Sequence, residues 1–459
     1  MPEPSFAGRR PLPARLLANP LLQRVARNSG YLFSASTVAA ALSMGQSALA
    51  ARLLGVAGFG LLGTVTVFAS VVNGLTSFRM GQLVVSYVSH FVARKEDQKA
   101  AAVFKAAGLA EMASSLLAYM LVLLLAPLAA RFLAPREPGN AALYSLYGLI
   151  ILANLMAESS TGLLQVFNRF RVLAVVMVSQ SALTLLLIAG VVAAHGGIVE
   201  VLFAYLIGKV VWALSITAVA LWQARQHWGA DWWQAPLALL ADRKGELVRF
   251  ALNTNFTTTL NLVTRDSELL WLSAFSSQEQ VGYYKVALAI RNILIMPVEP
   301  LISTTYRETA REVGGKRWGN VRYLLRSGSL LSAAWTLPAG IGLALLGKWL
   351  ISLLWGAEFQ PAYLNLMILL VGVMAVNIFF WNRNVLLPLG MPEYPTKVHL
   401  VAAILKVVGI LLLVPRWGAS GMAALLSAFY LGTTGALVWK TYREVRRAER
   451  VAAAAEAGG

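Results

Sequence analysis

The sequence predicts an all-α polytopic membrane protein with about twelve transmembrane helices in two pseudo-symmetric six-helix lobes. Of its 459 residues, 58% are hydrophobic and 13% are charged. Apolar runs of about 20 residues recur along the chain, and each is long enough to cross a hydrocarbon core of about 30 Å as a helix. Basic residues concentrate in alternate loops between these runs. The three observations together predict a multi-pass helical protein.

Hydropathy windows of about 19 residues place the spans in chain order. The predicted spans cover residues 31–51, 58–78, 107–130, 142–164, 172–194, 198–222, 250–275, 282–304, 327–347, 362–386, 396–414 and 419–439. These spans divide the chain into a cytoplasmic N-terminal tail with an interfacial segment (1–30), an N-lobe (31–222), a cytoplasmic linker (223–249), a C-lobe (250–439) and a basic cytoplasmic C-terminal tail (440–459). The loops are too short for a large soluble domain.

The distribution of charge predicts the orientation of the spans. The loops on the side of the two termini hold roughly 29 of the 39 Lys and Arg residues, and the opposite loops hold about 5. The positive-inside rule therefore predicts that both termini are cytoplasmic. The net charge of +18 has the same explanation, so we expect no nucleic-acid partner. The chain contains no cysteine, which excludes disulfides, thiol catalysis and Cys-ligated metals.

The two halves share a weak internal repeat. The segment "GFGLLGTVTVFASVVNGL" aligns with "QVGYYKVALAIRNILIMPVEPL", so that Gly60 falls on Gly282, and "GGIVEVLFAYLIG" aligns with "GASGMAALLSAFYLG", so that Gly197 falls on Gly421. The two offsets are nearly equal, and six spans separate the equivalent points. The repeats therefore have the same orientation, which predicts a pseudo-twofold axis along the membrane normal and a site at the interface between the lobes.

Six motifs support a family resemblance over residues 28–442. In chain order they are "ARLLGVAGFGLLGTVTVF", "GLLQVFNRFR", "QVGYYKVALAIRNI", "WGAEFQPAYLNLMILL", "LLPLGMPEY" and "VPRWGASGMAALLSA". Their order and spacing resemble the Wzx-type polysaccharide-biosynthesis flippases of the multidrug/oligosaccharidyl-lipid/polysaccharide (MOP) exporter superfamily. Similar lipid II flippases carry two further helices, which are absent from the predicted spans, and this favours the oligosaccharide branch.

The resemblance implies a V-shaped fold of two lobes around a central cavity. It also implies that an undecaprenyl-diphosphate-linked oligosaccharide passes from the cytoplasmic to the periplasmic leaflet of a bacterial inner membrane, for O-antigen, capsule or exopolysaccharide synthesis. Alternating access coupled to H⁺ or Na⁺ is the implied mechanism, with no other cofactor and no resident metal. The implied partners are the lipid-linked substrate, membrane lipids, and the polymerase and glycosyltransferases of the same pathway.

Charged residues inside the predicted spans mark the candidate site. The stretch "NLVTRDSELLWLSAF" places Arg265, Asp266 and Glu268 in the seventh span, and Arg265 and Glu268 share a helical face with Asn261. Lys285, Asn292 and Glu299 share one face of the eighth span, which also contains Arg291. Buried Arg or Lys costs about 2.5 to 3.5 kcal/mol, so these faces should meet partners or a water-filled cavity.

Two interpretations of this charge remain open. In one, Asp266 pairs with Arg291 and Glu268 pairs with Lys285, which stabilises the lobe. In the other, Arg265, Lys285 and Arg291, together with Asn261 and Asn292, bind a lipid diphosphate, because guanidinium groups match phosphate oxygens in bidentate fashion.

The N-terminal repeat carries a neutral counterpart of this charged face. Thr66, Ser70, Asn73 and Ser77 follow helical spacing on the second span, and they are candidates for contacts with sugar hydroxyls or for ordinary bonding between helices. The candidate carboxylates for the coupling ion are Glu158, Asp266, Glu268 and Glu299.

Other classes of protein are less consistent with this pattern. The four His residues form no metal-spaced or H-E-x-x-H pair, and the exterior loops hold few catalytic groups, so an enzyme is not expected. A cation-coupled multidrug exporter of the same superfamily is the alternative within transport. Its substrates are typically cationic, which a basic cavity would disfavour.

Overall fold

The computed structural model describes residues 20–134, 140–382 and 385–457, and it consists of helices and turns throughout these ranges. Within them, side chains are described except at residues 20–29, 252–258, 260–261, 263–264, 303, 452–453 and 455–457. Twelve helical passes follow one another in the described chain. They are α1 (20–54), α2 (56–93), α3 (Asp97–Leu133), α4 (140–166), α5 (Phe170–Ala193), α6 (Ile198–Trp228), α7 (244–275), α8 (278–314), α9 (Trp318–Leu354), α10 (Ala362–Ile378), α11 (393–417) and α12 (419–457).

The passes match the predicted count, and most of them are longer than the predicted spans. Eight helical stretches of the described chain are long and apolar enough to cross a bilayer. Two of these stretches reverse direction at a glycine with positive φ, Gly55 (φ 66°) and Gly418 (φ 51°), and so contribute two passes each. The remaining two passes are α7 and α10, which are shorter or more polar. The prediction of a polytopic helical protein is confirmed.

Successive turns alternate between two ends of the molecule. We call the end where α1 begins and α12 ends the terminal side, and the opposite end the far side. The linker between the sixth and seventh passes lies on the terminal side and contains two 3-10 turns, Trp232–Gln234 and Leu237–Arg243. The predicted tail of residues 1–30 lies largely outside the described residues.

Four passes are interrupted within their length. The helix of α2 breaks at residues 77–79 and resumes as Met80–Ala93, and α4 breaks between Asn140–Ala153 and Ala157–Val166. A π-helical turn at Leu262–Asp266 divides α7, and a 3-10 turn at Met296–Val298, which contains Pro297, divides α8. Interrupted backbone at membrane depth is tolerated where it lines a cavity or is covered by protein.

The lobes meet where α2 crosses α8, and the contact is symmetric. A Cβ atom at Gly60 would overlap the carbonyl oxygen of Gln278, and a Cβ atom at Gly282 would overlap the carbonyl oxygen of Val56. Gly60 and Gly282 are equivalent in the internal repeat, and so are Val56 and Gln278. Each glycine therefore packs against the backbone of the other repeat, as expected on a pseudo-twofold axis.

Candidate substrate cavity

A cavity of about 580 Å³ lies between the two lobes. Helices α1, α2 and α6 form one wall, and α7, α8 and α12 form the other. Its lining residues are Ala40, Ser43, Met44, Ser47, Phe59, Tyr205, Arg265, Lys285, Leu288, Ala289, Arg291, Asn292, Ile293, Ile295, Met296, Glu299 and Tyr430. Among these residues three are basic and one is acidic, so the wall has an excess of positive charge.

Arg265 reaches the cavity from the π turn of α7. The backbone N–H of Ser267 donates to the carbonyl of Leu262 at 3.0 Å, five residues earlier, which is the hydrogen bond of a π helix. The side chains of Arg265 and Asp266 are about half exposed, and Arg265 Nε lies 3.3 Å from Asp266 Oδ1. The side chain of the predicted neighbour Asn261 lies outside the described residues.

The predicted polar face of α7 does not continue to Glu268. The Glu268 side chain is 2% exposed and forms an ion pair with Lys406 of α11, which is equally buried. The Tyr284 hydroxyl donates to the other Glu268 oxygen at 2.8 Å. The extra residue of the π turn changes the helical phase, so Glu268 enters the lobe interior while Arg265 faces the cavity.

The two predicted ion pairs are wrong. Glu268 pairs with Lys406 rather than Lys285, and Asp266 contacts its neighbour Arg265 rather than Arg291. The partner Lys406 lies 138 residues from Glu268. Helical spacing within adjacent spans could not identify it.

Lys285 and Arg291 hold their positions through neutral groups. Lys285 Nζ lies 4.0 Å from the centroid of the Phe59 ring, across the lobe interface, and 3.5 Å from the Phe59 carbonyl oxygen. Arg291 Nη2 donates to Asn292 Oδ1 at 2.8 Å, and Nη1 lies 3.5 Å from the Tyr430 hydroxyl. Neither arrangement includes a carboxylate.

The predicted neutral residues of α2 lie outside the lining of this cavity. The hydroxyls of Thr66 and Ser70 donate to backbone carbonyls one turn earlier in the same helix, at 2.8 Å and 3.0 Å. Asn73 is half-buried, and the Ser77 hydroxyl donates to Glu158 Oε1 at 3.3 Å. The hydroxyls of Thr66 and Ser70 are therefore hydrogen-bonded within their own helix.

The candidate carboxylates occupy different environments. Glu299 is exposed on the cavity wall, at the start of the second helical segment of α8. Glu158 lies in the N-lobe, on the second segment of α4. Beside it, the buried Glu111 accepts hydrogen bonds from the backbone N–H groups of Glu158 (2.8 Å) and Ser159 (2.9 Å), so Glu111 caps this helical segment.

Contacts between the lobes close the far side of the cavity. Arg52 donates to the carbonyl oxygens of Leu353 and Leu354 at the end of α9, the latter at 3.0 Å. Trp355 Nε1 donates to Ser47 Oγ at 3.1 Å. Charge on a guanidinium is favourable at a helix C-terminus, where the last carbonyls lack intrahelical donors.

A second group of interlobe contacts surrounds the start of α8. Thr64 Oγ1 donates to Gln278 Oε1 at 3.2 Å, and the Ser273 hydroxyl and the Gln278 amide both donate to the carbonyl of Leu133 at 2.5 Å. Phe59 and Phe359 pack edge to face with centroids 5.9 Å apart. The far side is therefore sealed by polar and aromatic contacts that cross the interface.

Comparison with solved structures identifies the fold. Lipid II flippase MurJ in an inward closed conformation matches with a TM-score of 0.68 and 14% identity, over 91% of this chain and 89% of that one. A multidrug resistance MATE family transporter of the MOP superfamily in an inward-facing conformation matches with a TM-score of 0.63 and 15% identity, over 89% and 94%. A MOP superfamily transporter from Pyrococcus furiosus, described as having a binding pocket of reverse polarity, matches with a TM-score of 0.60 and 15% identity, over 96% and 99%.

Comparison of sequences identifies the family. No curated protein matches this chain. The profile of the family described as polysaccharide biosynthesis protein matches residues 25–306, which is more than half of the chain. The protein is therefore a member of the polysaccharide biosynthesis protein family, and it is a multi-pass membrane protein with the fold of the MOP superfamily.

Proposed function

We propose that the protein is a flippase that moves an undecaprenyl-diphosphate-linked oligosaccharide from the cytoplasmic to the periplasmic leaflet of a bacterial inner membrane. The observation that carries this proposal is the positively charged cavity between the lobes, with Arg265, Lys285 and Arg291 in its wall. A lipid diphosphate is a compact anion that must leave water to cross the bilayer. Fixed cations inside a protein cavity of low dielectric constant stabilise such an anion far more strongly than cations in water do.

The two arginines have separate roles in this proposal. Arg265 stands beside Asp266 on the π turn, while Arg291 is oriented by Asn292 and Tyr430. Both retain donor groups of the planar guanidinium fork that can bind phosphate oxygens. Lys285, held over the Phe59 ring, adds a third basic group at the lobe interface.

The closed far side supports alternating access. We take the terminal side as cytoplasmic, because its loops hold most of the basic residues. In this state the substrate would enter from the cytoplasmic leaflet, and release would need the far-side contacts of Arg52, Thr64 and Trp355 to break. Surface polysaccharide synthesis would then use the exported repeat unit.

A gradient of H⁺ or Na⁺ is the proposed energy source, and the candidate groups are Glu158, Asp266 and Glu299. Glu268 is less suited to bind a coupling ion in this state because the Lys406 ammonium already occupies it. The basic wall also disfavours a cationic drug as the substrate, since like charges in a low-dielectric cavity repel.

The test is delivery of surface polysaccharide by cells that lack the native gene and express Arg265→Ala or Arg291→Ala. Loss of a hydrogen bond to a charged group costs about 1.5 to 3 kcal/mol, so we expect delivery to fall by about 10- to 100-fold. Arg416→Ala removes an exposed arginine near the far side and is the matched control, with delivery expected to stay normal. Normal delivery by stably expressed Arg265→Ala and Arg291→Ala proteins would contradict the proposal.

A further inference from the structure

A second polar pocket lies in the N-lobe, between α2, α4 and α6. Its volume is about 470 Å³. The lining side chains that matter here are Arg79, Gln82, Glu158, Thr161, Gln165 and Trp212. They combine two amides, a hydroxyl, one positive and one negative group, and one large aromatic ring.

The pocket forms where two interrupted helices approach closely. A Cβ atom on Gly81 would lie 2.7 Å from the carbonyl oxygen of Glu158, and one on Gly162 would lie 2.5 Å from that of Gly81. The backbones of α2 and α4 therefore touch without intervening side chains, which brings the polar residues of both helices to one surface. Arg79 stands at the break of α2 in a left-handed conformation, φ 52° and ψ 48°. Non-glycine residues rarely adopt this conformation, and strained residues of this kind concentrate at functional sites.

The polar groups of the pocket are held by their surroundings. The backbone N–H of Glu158 donates to the buried carboxylate of Glu111, and its side chain accepts a hydrogen bond from Ser77. Thr161 donates to the carbonyl of Ala157 at 2.7 Å and retains its capacity to accept. A preformed polar surface of this kind loses little conformational entropy when it binds a ligand.

Helix α6 connects this pocket to the cationic cavity. Tyr205, Lys209 and Trp212 follow at intervals of four and three residues, so they share one face of the helix. Tyr205 lines the cationic cavity and Trp212 lines the N-lobe pocket, about 10 Å further along the helix axis. Lys209 Nζ lies 5.6 Å from the centroid of the Trp212 ring, which places an exposed cation between the two sites.

The geometry points to a saccharide-binding subsite in this pocket, which holds sugar residues of the substrate while its diphosphate occupies the cationic cavity. The inference rests on the proposed function, and it names a part of the substrate that the cationic cavity does not explain. Sugar rings present hydroxyls that both donate and accept, which amide, hydroxyl and ionic side chains match. They also present an apolar face of C–H groups, which an indole ring covers.

Other ligands fit this pocket less well. A lipid tail offers no hydrogen-bonding groups to the two amides and the ionic side chains of this surface, and it would displace the water that solvates them. A second phosphate would lie beside the carboxylate of Glu158. The separation of about 10 Å from the cavity suits a sugar that follows the diphosphate along a short chain.

The test compares two probes with the purified full-length protein in detergent, using native mass spectrometry or another equilibrium binding assay. One probe is undecaprenyl diphosphate, and the other is undecaprenyl diphosphate that carries the oligosaccharide repeat unit of the native host. We expect Trp212→Ala and Gln165→Ala to weaken binding of the oligosaccharide probe by about tenfold and to leave binding of undecaprenyl diphosphate unchanged. Trp222→Ala replaces an exposed tryptophan on another face of α6 and should bind both probes normally.

Each outcome separates this inference from the proposed function. Normal binding of the oligosaccharide probe by Trp212→Ala and Gln165→Ala, or equal loss of both probes, would overturn the saccharide subsite. If Trp212→Ala does not fold, Gln165→Ala alone tests whether the pocket binds the saccharide. Unchanged binding of both probes by Arg291→Ala would instead count against the cationic cavity, while a glycan-dependent loss at Gln165 would still support the subsite.

Discussion

The buried pair of Glu268 and Lys406 joins α7 to α11 inside the C-lobe. Both side chains are 2% exposed, and Tyr284 supplies a further hydrogen bond to Glu268. Removing two ions from water is expensive, and only their mutual attraction and additional hydrogen bonds offset that penalty. The pair therefore specifies how the two helices pack more than it adds net stability.

The first prediction is that Lys406→Met destabilises the protein by about 3 to 5 kcal/mol, because it leaves an unpaired carboxylate in the lobe interior. The double variant Glu268→Gln, Lys406→Met should regain most of that stability. Lys397→Met is the control, since its ion pair with Glu393 is largely exposed and contributes about 0 to 1 kcal/mol. Thermal unfolding in detergent measures all three variants, and equal stability of Lys406→Met and Lys397→Met would contradict the prediction.

A second prediction concerns the glycine at the centre of the lobe interface. Gly60→Ala places a methyl group on the carbonyl oxygen of Gln278, and backbone cannot move aside as a flexible side chain can. We expect a loss of about 1 to 3 kcal/mol or more. Gly190→Ala is the matched control, because open space surrounds that helical position. Thermal unfolding of the two variants distinguishes them. Equal melting temperatures would show that the interface has room for a methyl group at Gly60.

The helices are predictable from the sequence, and their interruptions are not. Apolar runs and alternating loop charge predicted all twelve passes, because length and hydropathy dominate in a bilayer. The π turn of α7 has no comparable sequence signal. Regular helical spacing therefore placed Arg265 and Glu268 on one face, whereas the extra residue sends Glu268 into the lobe.

The same reasoning explains which parts of the site could be predicted. Charge inside a span needs a partner or a cavity, and this rule predicts a site that includes Arg265, Lys285, Arg291 and Glu299. Asn292 shares the helical face of Lys285 and Glu299, and all five residues line the cavity. Their detailed contacts could not be predicted, since the partners Phe59 of Lys285 and Tyr430 of Arg291 come from distant helices. The N-lobe pocket depends on the breaks of α2 and α4. The spacing of its polar residues in the sequence therefore does not show that they lie close together.

Cysteine labelling tests the π turn directly, because the chain contains no native cysteine. Arg265→Cys should react readily with a water-soluble maleimide, while Leu269→Cys and Leu272→Cys should be protected. Leu269 and Leu272 are 6% and 0% exposed, although a regular helix would place both on the face of Arg265. Labelling of all three positions at similar rates would indicate a continuous α-helix.

The internal repeat gives two lobes that are similar in fold and different in chemistry. The C-lobe wall carries the fixed positive charge, whereas the N-lobe wall is mostly neutral and contains the second pocket. The lobes are held together on the far side by hydrogen bonds that can be exchanged for others as the lobes rock. A charged wall opposite a mostly neutral wall suits a substrate with an anionic and a neutral part.

The far-side closure predicts that a disulfide will trap this state. Thr64 Oγ1 and Ser273 Oγ are 3.2 Å apart across the lobe interface, so cysteines at both positions should cross-link on oxidation. We expect the oxidised Thr64→Cys, Ser273→Cys protein to lose transport and to recover it when reduced. Thr64→Cys alone is the control, and full transport by the cross-linked protein would show that the far side need not open.

The proposed function depends on the passage of a lipid diphosphate through the cationic cavity. Its most direct test is flipping of undecaprenyl-diphosphate-linked oligosaccharide in proteoliposomes, measured by the fraction of substrate that becomes accessible on the opposite leaflet. We expect the native protein to accelerate flipping and Arg265→Ala and Arg291→Ala to reduce the rate by about 10- to 100-fold, while Arg416→Ala should leave it unchanged. Equal flipping rates for the native protein and both cavity variants would contradict the proposed function.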